Sequence, residues 1–138
     1  MTRIFERLYL SDAREADHLT VSNPHGITAV VNVSIETNHQ RRDGIKYVHL
    51  PLDESERIPP RTFEKVITAI SQLIRAGTVL VHCSAGSSRS PVVVALYVHI
   101  VGCRNFDDAL SQLRSQRSVV APSKVVIESA KVYLKGTK

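Results

Sequence analysis

Two hydrophobic periods alternate along this chain and divide it into strands and helices. From Arg61 to Ala76, Phe63, Val66, Ile67, Ile70, Leu73 and Ile74 recur at three- and four-residue intervals, which puts them on one face of an amphipathic helix. Pro59 and Pro60 stand where that helix begins and Gly77 where it stops. Thr28–Val33 (TAVVNV) is a short β-branched run of the kind that forms a buried strand. Arg7–Leu10 and Lys46–Leu50 read as further short strands, the second ended by Pro51, and Ala13–Leu19 as a short helix. Ser22–Gly26 (SNPHG) has strong turn chemistry. Thr78–His82 is an apolar strand that runs directly into Cys83.

Beyond Cys83 the pattern is helical. An apolar helix begins near Pro91, runs to about Val101 and is stopped by Gly102. Asn105 is an expected N-cap, with Asp107 and Asp108 favourable to the dipole of a helix continuing to about Arg117. Pro122 and Ser123 open a last helix that ends near Gly136. Strands alternating with helices predict an α/β domain with a short central mixed or mostly parallel sheet of four to five strands. Helices flank the sheet and dominate the C-terminal half. At 138 residues, with no internal repeat or linker-like stretch, one domain spanning residues 1–138 is expected.

Composition narrows the partners. Apolar residues make up 43% of the chain and charged residues 22%, as in an ordinary globular protein. The net charge of +5 favours anionic partners such as phosphorylated proteins, phosphoinositides or nucleic acid. Nucleic acid has no positive support, because no basic run is interleaved with aromatics. No apolar run is long enough to cross a bilayer, and the opening MTRIFERLYL lacks the apolar stretch of a signal peptide. A cytoplasmic monomer is the expectation. Cys83 and Cys103 are too few for a disulfide framework, and neither they nor His18, His25, His39, His49 and His99 have metal-ligand spacing.

The segment VLVHCSAGSSRSP, Val79–Pro91, carries the chemistry. A buried strand, a short loop containing Gly86 and a helix follow one another, a layout that turns backbone N–H groups and a helix N-terminus toward an anion. Cys83 opens the loop, where the same field favours thiolate over thiol. Arg89 follows six positions later with a planar fork suited to two phosphate oxygens. A small loop rich in Ser and Gly offers a buried thiol no apolar packing, so an inert core cysteine fits this setting poorly.

HCSAGSSRS closely resembles the signature of the dual-specificity protein phosphatases, within the cysteine-dependent protein tyrosine phosphatase superfamily. RLYLSDAREA, GITAVVNV, IKYVHLPLDE and LRSQRSVVAPS resemble other segments of that family in the same order. The resemblance implies that Cys83 attacks phosphorus and forms a phosphocysteine. It implies that Arg89 and the backbone amides of Ser84, Ala85, Gly86, Ser87, Ser88 and Arg89 hold the equatorial oxygens. Ser90 would donate a hydrogen bond to the sulfur, and His82 would order the loop without touching substrate. No cofactor is implied.

A departing alkoxide or phenoxide needs a proton, so an acid must stand on a nearby loop. Asp53, in LPLDESERIP, follows a short strand and lies thirty positions before Cys83, a separation similar to the family's. Glu54 and Glu56 are close enough to compete, whereas Asp43, Asp107 and Asp108 fit turns or caps better. Asn32 is a polar residue in an apolar strand and needs a partner. The resemblance suggests that it steadies the phosphate loop; a local backbone hydrogen bond is the alternative. Ser123 stands where many relatives carry asparagine, so it is either a loop-steadying residue or only an N-cap. Cys103, near the end of the following helix, is expected to be a plain core cysteine rather than a redox partner of Cys83.

Overall fold

The computed structural model describes residues 1–102 and 104–136. Its strands are β1 (Thr2–Phe5), β2 (Leu8–Ser11), β3 (Ile27–Asn32), β4 (Lys46–His49) and β5 (Thr78–His82). Its helices are α1 (Ala13–Asp17), α2 (Pro60–Ala76), α3 (Arg89–Gly102), α4 (Phe106–Gln116) and α5 (Lys124–Gly136). The strands form one sheet in the order β1-β2-β5-β3-β4, in which only β1 runs antiparallel to its neighbour. The expected mixed, mostly parallel sheet and helical C-terminal half are both present.

The two faces of the pleat separate two apolar clusters. Leu8, Leu10, Ala29, Val31, Val79 and Val81 join the main core, which the helices α2–α5 cover. Val30 and Leu80, on the other face, meet Ala16, Leu19 and Ile27 around α1. Helix α3 is buried continuously from Ser90 to Val98, so it is apolar on all sides and sits as the central helix of its layer. The parallel register brings Ser11, His82 and Asn32 level across β2, β5 and β3 at their carboxyl ends. Ligand sites of open α/β sheets lie at that edge.

Three details differ from the expected elements. Strand β1 was not expected: TRIF shows no apolar alternation, and it exists because β2 offers an antiparallel edge. The first helix ends at Asp17, and His18–Thr20 tighten into a 3-10 turn. Helix α3 starts at Arg89, so Pro91 lies within the first turn, where its missing N–H costs no intrahelical bond. The expectation for Cys103 lies outside the described residues.

Candidate active site

Residues 83–88 link β5 to α3 and form the loop anticipated from the sequence. Cys83 is 2% exposed, and its Sγ lies 3.1 Å from Ser90 Oγ in the first turn of α3. Neighbouring segments hold the loop from outside. Ala13 N–H donates to the Ser84 carbonyl (3.0 Å) and Ala121 N–H to the Ser87 carbonyl (2.8 Å). The N–H of a trans peptide points away from its C=O, so the amides of Ala85 and Ser88 turn toward the loop interior. Arg89 and Ser90 are the first residues of α3, and their amides have no intrahelical acceptor.

Gly86 has φ +68, and a Cβ there would stand 2.9 Å from the Ser11 carbonyl oxygen and 3.1 Å from Asp12 N. Both obstacles are backbone. Asp12 is itself fixed, since it closes a capping box with Glu15 at the start of α1, and Arg117 pairs with both carboxylates. Gly86→Ala should therefore cost about 1–3 kcal/mol through strain alone. A lowered thermal unfolding midpoint would show the loss.

Arg89 folds back over the loop with its side chain 11% exposed. Nη2 donates to Ser84 Oγ and Nη1 to the Leu52 carbonyl, each at 3.4 Å. Nε is 3.1 Å from Glu54 Oε2 but is not aligned for a hydrogen bond, so this buried N–H has no acceptor among the described residues. Ser88 Oγ donates to Glu54 Oε1 and accepts from Ser123 N–H, both at 2.9 Å.

His82 Nε2 accepts from Asn38 Nδ2 (2.9 Å), which leaves Nδ1–H to donate to the Cys83 carbonyl at 3.1 Å. Burial keeps this imidazole neutral by pushing its pKa below the ordinary value, a loss only partly offset by the bond to the Cys83 carbonyl. Asn32 makes local bonds, to the Glu36 carbonyl (2.7 Å) and to Ser34 N–H and Oγ. It also donates to Asn38 Oδ1 at 3.3 Å. A chain of contacts thus runs from Asn32 through Asn38 to His82. Ser123 Oγ accepts from Val126 N–H (3.4 Å), while its backbone N–H rather than its side chain makes the contact to Ser88.

Asp53 is exposed, and its Oδ1 accepts from Ser55 Oγ (2.6 Å) and Ser55 N–H (3.0 Å). Those two bonds, the hydroxyl first, hold its carboxyl below the ordinary value, and the Arg89 charge adds a smaller push in the same direction. Glu54 has both oxygens turned to the phosphate loop, and Glu56 is exposed. Asn38 escaped sequence reasoning, as did the contact of Ser11 and Asp12 with Gly86. A polar residue in an irregular loop carries no periodic signal, and nothing local in the chain records a contact across seventy positions.

The chain belongs to the family described as dual specificity phosphatase, catalytic domain, which it matches over residues 8–133. Human dual specificity protein phosphatase 1 is 29% identical over 118 residues, covering 84% of this chain and 32% of that protein. The chain thus spans about a third of the length of that relative. The crystal structure of human DUSP28 superposes with a TM-score of 0.84 at 25% identity, covering 99% of this chain and 96% of that one. Human tyrosine phosphatase-like serine/threonine/tyrosine-interacting protein gives a TM-score of 0.82 at 27% identity, covering 98% and 95%.

Proposed function

We propose that this chain is a protein phosphatase that hydrolyses phosphotyrosine and also phosphoserine and phosphothreonine through a phosphocysteine. The observation that carries this reading is the meeting of Cys83 Sγ with Ser90 Oγ in a loop over which a nearly buried Arg89 folds back to Ser84 Oγ. Family membership supports the same chemistry.

In the first step Cys83 Sγ forms a bond to phosphorus as the ester P–O bond breaks, and Asp53 gives its proton to the departing oxygen. Arg89 and the inward amides neutralise the charge on the three equatorial oxygens. In the second step Asp53 takes a proton from water, whose oxygen attacks phosphorus, and the thiolate leaves with Ser90 Oγ–H donating to it. The two displacements call for no metal or organic cofactor. Phosphorylated proteins or peptides are the substrates, and the reading is of a cytoplasmic, single-domain monomer without membrane or nucleic-acid partners. No helix among the described residues is long and apolar enough to cross a membrane.

Phosphoinositides and RNA 5′-ends are weaker readings, because the variable loop positions Ser84, Ala85, Ser87 and Ser88 carry no lysine for additional phosphates. A non-catalytic phosphoprotein-binding module would not need both Cys83 and Arg89. Purified protein should hydrolyse phosphotyrosine, phosphoserine and phosphothreonine peptides faster than phosphoinositides or triphosphorylated RNA. Preference for either of the latter would reject the assignment.

The acid is tested through the leaving group. A basic oxygen such as a serine alkoxide needs a proton, whereas an activated phenol leaves without one. Asp53→Asn should slow phosphopeptide hydrolysis by roughly a hundredfold or more, an activated aryl phosphate far less, and flatten the alkaline fall of the phosphopeptide pH profile. Ser55→Ala removes the bond that most lowers the Asp53 pKa. The acid then stays protonated to higher pH, and the alkaline limb should move upward. A limb that stays in place would mean Asp53 does not set it.

A further inference from the structure

Glu54 stands one residue beyond Asp53, and its carboxylate faces the opposite way. Along this segment Leu52 is fully buried, Asp53 is exposed and Glu54 turns back to the phosphate loop. Glu54 Oε1 accepts from Ser88 Oγ at 2.9 Å, and Oε2 lies 3.1 Å from Arg89 Nε. The Leu52 carbonyl meets Arg89 Nη1 at 3.4 Å. Residues 52 and 54 thus grip the same arginine, with Asp53 projected from between them.

The rest of the segment has few attachments. Leu52 N–H bonds to the Val33 carbonyl (3.0 Å) and Ile58 N–H to Ser129 Oγ (3.0 Å), and residues 50–59 contain no strand or helix. Between those two backbone anchors, Glu54 ties the segment to the phosphate loop and Arg57 pairs with Glu128 of α5 at 3.5 Å. Ser88 Oγ, which also accepts from Ser123 N–H, gives that tie a base just before α5.

We propose that Glu54 is a positioning residue that fixes the acid loop on the phosphate loop, so that Asp53 is delivered to the leaving oxygen of a phosphate held by Arg89. The inference rests on the phosphatase reading above. A general acid works only within hydrogen-bond reach of its target, and misplacement by about 1 Å can cost on the order of a hundredfold. A carboxylate beside Arg89 also has an opposite reading, as an anion competing with phosphate for the same cation, and the two readings differ in sign.

The test compares Glu54→Ala, Glu54→Gln, Asp53→Asn and the Asp53→Asn/Glu54→Ala double variant on a phosphoserine peptide and on para-nitrophenyl phosphate. Glu54→Ala should lower kcat on the peptide by roughly tenfold to a hundredfold, KM changing little, with the activated ester affected less than about threefold. Gln keeps an oxygen for Ser88 Oγ–H and should recover much of the loss. On the Asp53→Asn background, Glu54→Ala should cost almost nothing more, because both changes remove the same proton delivery. Equal loss on both substrates, or additive losses in the double variant, would overturn the proposal. So would faster turnover, or tighter inhibition by inorganic phosphate, in Glu54→Ala. If Asp53→Asn itself shows no leaving-group dependence, the acid assignment falls. If Asp53→Asn discriminates and Glu54→Ala does not, only the role of Glu54 falls.

Discussion

Cys83→Ser should reduce turnover of every phosphate ester to background, a loss on the order of a millionfold by analogy with other deleted nucleophiles. A serine hydroxyl in this loop has neither the acidity nor the polarisability of a thiol, and it leaves poorly from phosphorus in the second step. The oxygen is smaller than sulfur and fits the same space without displacing its neighbours, so the backbone cradle survives. Phosphopeptide affinity, measured by titration calorimetry, should stay close to that of the unaltered protein. Iodoacetate should alkylate Cys83 in the unaltered protein, and inorganic phosphate should suppress the reaction. A Cys83→Ser protein that retains a substantial fraction of its activity would remove the nucleophile from the mechanism.

Arg89→Lys comes next in size. Lysine keeps the charge but loses the fork, and Arg89 uses three of its nitrogens in the site: Nη1 on Leu52, Nη2 on Ser84 and Nε beside Glu54. One ammonium cannot reproduce that set or present two parallel donors to a phosphate. Each donor aimed at developing charge is worth about 10²–10³ in rate, so the substitution should cost about a thousandfold or more in kcat. The loss should fall equally on activated and unactivated esters, in contrast to Asp53→Asn. A lysine variant within about tenfold of the parent would make Arg89 a steering charge rather than a transition-state contact.

The amino-acid sequence by itself determined every element whose pattern is local. Helix α2 was legible because six apolar residues share one face, and β3 because its β-branched run is buried on both sides. The phosphate loop was legible for a similar reason: strand, Cys83, Gly86, Arg89 and helix are contiguous, and their spacing is the geometry. Asp53 could be proposed from its distance to Cys83 along the chain, but the bonds from Ser55 that lower its pKa were visible only in the folded turn.

Tertiary structure decided what depends on distant segments meeting. Strand β1 had no readable period and exists as an antiparallel edge on β2. The partners of Asn32 and Ser123 came only from the fold: Asn32 meets Asn38, which bonds His82, and the contact of Ser123 with Ser88 is made by its backbone N–H. Gly86 could be read as a loop glycine, but the reason it cannot carry a side chain is the backbone at Ser11 and Asp12, more than seventy residues earlier. Glu54 was indistinguishable in the sequence from Glu56; the direction of its carboxylate is set by Ser88 and Arg89 across the site. A motif whose parts are contiguous is written in the order of the chain, whereas a contact between loops follows from how the sheet aligns its carboxyl ends.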